Sequence, residues 1–267
     1  MPHSLTSLFT YSFLTIRMKL MRRILGTITS VITHEPVVAL TFDDGPHPSY
    51  TPHLLEILKQ HKAHATFFMV GVAATRSRDI VRQVAEAGHT IGNHSWDHRS
   101  FPLLTRQKRW AQLRACQQAT APYGISLFRP PYGHQNTASS LDAFLLGFQV
   151  VTWNIVAHDW LDYDAAWMVE RVKEKIRPGS IILFHDRLHN YLDERYAPRD
   201  AALEVVNRLL TEFSKVYRFI TIPAMLKLGS PQKKHWLMEP DLELLRNLYP
   251  AEDLRHPSNK CEDSYGA

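Results

Sequence analysis

The sequence predicts an α/β fold of parallel βαβ units, arranged either as a (β/α) barrel or as a doubly wound sheet. From Val37 onward, short runs rich in β-branched and aromatic residues alternate with amphipathic stretches. About seven such units follow one another, which is the signature of a parallel sheet with helical crossovers. The polar and aromatic residues that could carry chemistry stand just after the strand runs, where both architectures place their ligands.

The strand runs are Val37–Phe42, Ala65–Val70, Thr90–Asn93, Leu127–Arg129, Val150–Asn154, Ile181–Phe184 and Phe219–Ile222. The first helical stretch, Thr51–His61, puts Leu54, Leu55 and Leu58 on one face; Arg78–Ala87, Leu104–Ala119, Asn136–Leu146, Ala165–Ile176 and Asp200–Phe213 follow. After residue 227 the character changes. Met238-Glu239-Pro240-Asp241 reads as a helix start, with Leu242, Leu245 and Leu248 on one face and Pro250 ending it. The expected organisation is a basic and apolar extension over 1–35, a βα core over 36–226, and a short helical appendage with a polar tail over 227–267.

Composition narrows the function classes. With 45% hydrophobic and 21% charged residues in 267, the chain can bury a large core and is too apolar for disorder. Eleven Gly and sixteen Pro without a period set aside collagen-like and low-complexity chains. No apolar run reaches the roughly eighteen residues of a membrane helix. Cys116 and Cys261 are too few for a disulfide framework or a four-sulfur zinc site, and Cys116 reads as a small packed side chain.

The net charge is +5, and part of it sits early, at Arg17, Lys19, Arg22 and Arg23 among Met, Leu and Ile. This cluster at 17–23 could touch an anionic membrane surface, or be a solvated basic stretch. No basic stripe interleaved with aromatics follows, which argues against nucleic acid as a partner. A secretory signal sets basic residues before an apolar segment and a small-residue cleavage site. From Met1 the order is reversed. From Met18 it improves, with Met-Lys-Leu-Met-Arg-Arg before Ile24 to Ile32, but Thr27, Thr29 and Ser30 interrupt that segment and no Ala-x-Ala follows. An internal start or an uncleaved anchor is one reading of it.

The first run ends Thr41-Phe42-Asp43-Asp44-Gly45-Pro46. Adjacent carboxylates repel, so something must compensate them; the plainer reading is an Asp-Gly turn. The third leads into His94-Ser95-Trp96-Asp97-His98, whose two His four apart suit one metal ion. Fifteen His in the chain make such pairs by chance, and His185 with His189 is a second; the acidic pair at another strand end is what gives the spacing weight. Arg129-Pro130-Pro131-Tyr132 ends the fourth run. Its prolines remove two donors and leave the Tyr132 N–H to aim at a ligand, while Arg129 can grip a carboxylate; a rigid structural turn accounts for the same residues. The fifth run gives Asn154-Ile155-Val156-Ala157-His158-Asp159-Trp160. The sixth gives Leu183-Phe184-His185-Asp186, with His185 placed as a general acid or as a structural histidine. Five strand ends in succession bring a device to one face, and that conjunction outweighs any single motif.

TFDDGP at 41–46, HSWDH at 94–98, RPPY at 129–132, DW at 159–160 and LFH at 183–185 resemble, in this order, the motifs of the polysaccharide deacetylases, carbohydrate esterase family 4, whose domain is also called the NodB homology domain. The likeness covers residues 36–226. It implies a distorted (β/α) barrel and a hydrolase that removes N-acetyl groups from N-acetylglucosamine-containing glycans, releasing acetate. It also implies one divalent metal, usually Zn2+, with Co2+ or another divalent ion as alternatives, held by Asp44, His94 and His98. By position, Asp43 is then the general base, held by Arg129, and His185 the general acid. Tyr132 offers its backbone N–H to the oxyanion, and Trp160 and Leu183 wall the acetyl pocket. One carboxylate and two neutral imidazoles leave a divalent ion with residual positive charge and open positions, and that charge relieves the Asp43–Asp44 repulsion.

One position departs from the pattern. The family's fourth motif, as it is usually described, is Asp-x-x-Asp-Trp, with the first Asp paired to the catalytic His. Val156 stands there instead. The expectation is that His185 has a lower pKa than usual, or borrows Asp159, Asp186 or Asn154, and that activity is weakened and not lost.

Chitin-like oligomers, peptidoglycan or an exopolysaccharide are the candidate substrates, with Trp96, Tyr132 and Trp160 offering faces that could stack on sugars or fill the core. Two readings compete: a hydrolase of a small-molecule amide, imide or formyl-sugar, and a catalytically impaired sugar-binding module for which Val156 is the sole support. The substrate class favours the cell envelope or another extracytoplasmic place, while the weak signal-like segment leaves the cytoplasm open.

Overall fold

The computed structural model describes residues 24–249; the basic cluster at 17–23, Pro250 and Cys261 lie outside the described residues. The strands are β1 (Thr27–Ile32), β2 (Val37–Asp43), β3 (Thr66–Met69), β4 (Thr90–Asn93), β5 (Gly124–Phe128), β6 (Gln149–Val150), β7 (Ile155–Val156), β8 (Ile181–His185), β9 (Arg218–Phe219) and β10 (Ser230–Lys234). The helices are α1 (Tyr50–Gln60), α2 (Gly71–Arg76), α3 (Arg78–Glu86), α4 (Arg106–Ala119), α5 (Thr137–Leu145), α6 (Ala165–Lys173), α7 (Asp200–Phe213), α8 (Ile222–Leu226) and α9 (Leu242–Leu248). Several helices start on a side-chain cap: Thr105 accepts from the Lys108 N–H, Asn136 from Ser139 and Asp164 from Trp167.

Seven strands pair in the order β6-β5-β4-β3-β2-β8-β7, with β9 joining the start of β2. Every pairing in that sheet is parallel. The sheet curls into a distorted (β/α) barrel whose edge strands, β6 and β7, do not pair with each other. β1 fills the opening. The Thr152 N–H beyond β6 donates to the Ile28 carbonyl at 2.9 Å, and the Val31 N–H donates to the Gly179 carbonyl ahead of β8 at 2.9 Å. The approach is close enough to require glycine at 179, where φ is +80° and a Cβ would lie 1.8 Å from the Val31 carbonyl oxygen. β10 then covers the other side of β1, antiparallel.

β1, β7 and β10 are absent from the strand runs read off the sequence. Thr27–Ile32, part of the apolar segment compared above with a signal, is a buried strand here, apart from Ile32. The last predicted run gives only Phe219 to β9, because Thr221 caps α8 and turns the chain out of the sheet. Among the described residues no helix is long and apolar enough to cross a membrane.

Strand alternation sorts the core. In β2, Val38, Leu40 and Phe42 face the helices, joining Leu54 and Leu58 of α1 and Val206 and Leu209 of α7. Val37 and Ala39 face the barrel interior with Phe68, Leu127 and Val151. The same inward face continues upward as Thr41 and Asp43. The barrel is therefore apolar at its base and polar at the C-terminal ends of its strands, and both Thr41 and Asp43 are buried.

Candidate active site

The end of β2 places Asp43 in register with His185 of β8 and Phe68 of β3. Arg129, at the end of β5, lies wholly inside the barrel. A buried guanidinium needs partners for its donors, and four of the five find one. Its Nη1 donates to Asp43 Oδ1 at 2.7 Å and to Thr41 Oγ1 at 2.8 Å; Nε donates to the Val151 carbonyl at 3.2 Å and Nη2 to the Thr152 carbonyl at 2.8 Å. Its plane also lies over the Phe68 ring, 4.1 Å from the centroid. Asp43 is thus fixed by an arginine with no freedom of its own.

Asp44 points the other way. Its Oδ2 accepts the His189 N–H at 2.9 Å, while its Oδ1 faces His94 Nε2 at 3.2 Å and His98 Nε2 at 3.1 Å. His94 Nδ1 lies 2.7 Å from the Arg129 carbonyl, which can only accept, so that nitrogen carries the proton and Nε2 presents a lone pair. Asp44 Oδ1 and His98 Nδ1 are buried without a hydrogen-bond partner. Lone pairs of a carboxylate and an imidazole directed at each other need a cation or an extra proton between them. The three ligand atoms lie within 4.8 Å of one another, and one carboxylate with two imidazoles suits zinc or a similar divalent ion. Burial alone would raise the Asp44 carboxyl; the imidazoles of His98, His94 and His185 outweigh it and hold the group well below the usual carboxylate range.

On the opposite side stands His185. Both oxygens of Asp159 grip this one residue: Oδ2 accepts its backbone N–H at 2.8 Å, and Oδ1 lies 3.0 Å from its Nδ1. Arg199 supports the pair, donating to the Asp159 carbonyl at 2.8 Å. Burial disfavours charge on His185, but Asp159, with Asp44 and Asp43 further off, outweighs it and raises the imidazole to about 9. Of the two alternatives at His185, a lowered pKa or a borrowed partner, the geometry gives the borrowed partner. Of the three residues that could replace a carboxylate at position 156, Asp159 is the partner. Asn154 bonds the backbone of Ile181 instead, and Asp186 accepts from Thr51 behind the site. Burial raises the Asp186 carboxyl to about 7. Trp160 sets its ring nearly perpendicular to that of His185, with centroids 5.3 Å apart. Leu183, two residues before His185 in β8, shares its face and is buried.

Strain collects here. Six described residues other than glycine have left-handed backbone, and five of them, Asp44, Ser95, His98, Tyr132 and His158, lie in these strand-end motifs. At Tyr132 the turn brings its ring to 4.4 Å from that of His98.

The family model for polysaccharide deacetylases matches residues 30–151. A peptidoglycan-N-acetylglucosamine deacetylase of Bacillus cereus is 33% identical over 208 residues, 76% of this chain and 94% of that protein. The chain belongs to the polysaccharide deacetylase family. A chitooligosaccharide deacetylase of Azorhizobium caulinodans is 34% identical over 167 residues, 61% of this chain and 80% of that protein. The solved structure of the peptidoglycan deacetylase PdaC from Bacillus subtilis has a TM-score of 0.65 at 27–28% identity and covers 74% of this chain and 93% of that one.

As a polysaccharide deacetylase the chain is a hydrolase of amide bonds, and the barrel brings Asp43, Asp44, His94, His98, Arg129, Tyr132, Trp160, Leu183 and His185 to one end. Sequence reading noted His189 only as a second His pair. In the deacetylase its N–H holds Asp44, its ring lies 5.5 Å from that of His98, and its Nδ1 is buried without a partner. Burial and the neighbouring His98 lower this imidazole to about 3. Arg199 and Tyr249 were missed altogether, because neither stands near a motif in the chain.

Proposed function

We propose that the protein is a metal-dependent N-deacetylase of N-acetylglucosamine units in peptidoglycan, releasing acetate and leaving a glucosamine-type amine. The observation that carries this reading is the buried Asp44 carboxylate facing two imidazoles, flanked by an arginine-held Asp43 and an aspartate-held His185. Peptidoglycan is favoured because the relative matched over most of its own length is named for that substrate. Chitin-type oligomers are the second reading, supported by the Azorhizobium relative.

Asp44, His94 and His98 would hold the ion, with zinc the best match to that donor set. When bound, the ion supplies Lewis acidity to a water and to the amide carbonyl. Asp43, oriented by Arg129, takes the proton of the attacking water. The Tyr132 backbone N–H donates to the oxyanion that develops on the carbonyl oxygen. His185, kept charged by Asp159, gives its proton to the departing amine nitrogen, so acetate and a free amine are produced. Trp160 and Leu183 bound the acetyl group. A substrate of this kind favours the cell envelope as the protein's location, which fractionation of the native cells would check.

The direct test measures acetate release from acetylated peptidoglycan and from N-acetylglucosamine oligomers, before chelation, after it, and with zinc restored. Release that stops with chelation and returns with zinc is the expected result. A protein that binds one zinc and releases acetate from neither substrate would point to a small-molecule amide. Loss of both properties would leave a sugar-binding module.

A further inference from the structure

We propose that the C-terminal segment completes the active site, with Tyr249 as a positioning residue whose hydroxyl ties the Tyr132 turn to the backbone of His98. This rests on the deacetylase reading above and goes beyond it, since the segment lies outside residues 30–151 matched by the family model.

The proton order of the contact is fixed by chemistry. Tyr249 Oη lies 2.7 Å from the His98 carbonyl, which can only accept, so the Tyr249 hydroxyl donates there. Tyr132 Oη lies 2.9 Å from Tyr249 Oη, and with the Tyr249 proton already spent, Tyr132 must donate to Tyr249. Tyr132 in turn accepts from Asn190 Nδ2 at 3.1 Å. A single directed chain therefore runs from Asn190 through Tyr132 and Tyr249 to His98, joining three strand-end loops through the residue that follows α9. Two of the residues it joins, His98 (φ 62°) and Tyr132 (φ 58°), have the left-handed backbone that a side chain disfavours and that surrounding contacts must impose.

The segment is built to hold that position. Asp241 caps α9 by accepting from the N–H groups of Glu243 and Leu244, both at 3.0 Å, and Leu245 is buried. The Arg99 guanidinium lies 4.9 Å from the centroid of the Tyr249 ring. Upstream, Trp236 Nε1 donates to the Gly133 carbonyl at 2.9 Å, and Gln135 and Met238 exchange backbone hydrogen bonds at 2.9 and 3.0 Å. The strap is thus fastened both to the loop that follows Tyr132 and to Tyr132 itself.

The test is Tyr249→Phe in the full chain, which removes one oxygen and keeps the ring against Arg99. Expected are a fall in kcat of about tenfold with KM within about twofold, and a zinc dissociation constant raised by about tenfold against a chromophoric chelator. The double variant with Tyr132→Phe should lose no more than the larger single loss, because the two hydroxyls act in one chain. The proposal is overturned if neither kcat nor zinc affinity moves beyond twofold, or if the two losses multiply. Wild-type protein assayed alongside separates this outcome from failure of the deacetylase reading; if it releases no acetate, the zinc measurement alone decides.

Discussion

Asp43 and Asp44 are neighbours in the chain and both are buried, yet their surroundings follow opposite rules. Asp43 has a guanidinium on one oxygen, and that guanidinium spends three further donors on a hydroxyl and two carbonyls. Asp44 has an oxygen left without a hydrogen-bond partner, and that oxygen faces the Nε2 atoms of His94 and His98. A saturated buried charge is held as part of the fold, whereas an unsaturated one costs free energy until a ligand satisfies it. The difference separates what the protein fixes for itself from what it leaves for an ion, and it predicts different consequences for breaking each side.

The largest expected effect is on the unsaturated side. Asp44→Ala should lower acetate release by about a thousandfold or more, the loss of several kcal/mol of Lewis-acid stabilisation. It should also abolish stabilisation by zinc, which in the wild type reaches about 2.7 kcal/mol at a hundred times the dissociation constant. Thermal melts with and without zinc check this. A variant that still gains stability from zinc would mean that the ion binds elsewhere.

On the saturated side, activity and stability should fall together. Arg129→Met leaves the Asp43 carboxylate buried without its partner, at a cost of about 3–5 kcal/mol in denaturant titrations. The general base, no longer oriented, should lose about a hundredfold in kcat. If Arg129→Met left stability unchanged while activity fell, the contrast between the two carboxylates would fail.

A third variant probes the acid. Asp159→Asn removes the main attraction that raises His185, so the alkaline limb of the kcat profile should move down by roughly 1–3 pH units. A divalent ion beside Asp44 opposes charge on His185, so the wild-type limb is expected below the value of about 9 that the protein surroundings alone set. In the metal-free protein the raised imidazole stabilises the fold fully below its unfolded pKa near 6.5, and that contribution is lost as the pH rises through about 9. Melting temperature followed across this window should drop in the wild type and stay flatter in Asp159→Asn.

The motif-bearing strands were legible because each puts a nearly continuous apolar run ahead of its polar residues. The strands that close the barrel were not. β1, Thr-Ile-Thr-Ser-Val-Ile, is rich in β-branched residues but follows a basic cluster and so reads as a signal-like segment; β10, Ser-Pro-Gln-Lys-Lys, has no strand pattern apart from its partner, about two hundred residues away in the chain. Metal ligands announce themselves as residue types at short spacing. Supporting residues such as Arg199 and Tyr249 act through a distance in space that local sequence does not encode. Gly45 reads in the sequence only as part of an Asp-Gly turn; in the fold, a Cβ there would lie 2.3 Å from an Asp186 carboxylate oxygen.

The smallest expected effect bears on position 156, where sequence comparison suggested a missing carboxylate. Val156 pairs with Leu183 in the β7–β8 register, two residues short of His185. The left-handed turn at His158 (φ 62°) then swings Asp159 back, so that one carboxylate meets both the N–H and Nδ1 of His185. A second carboxylate at 156 would find that nitrogen already bonded and would add a half-buried charge without a donor. Val156→Asp should therefore leave kcat within about twofold and lower stability by about 1–2 kcal/mol, the cost of a partly buried, unpaired polar group. A clear gain in kcat, together with an upward shift of the alkaline limb, would instead show that Asp159 holds the ring in place without supplying the full charge the acid needs.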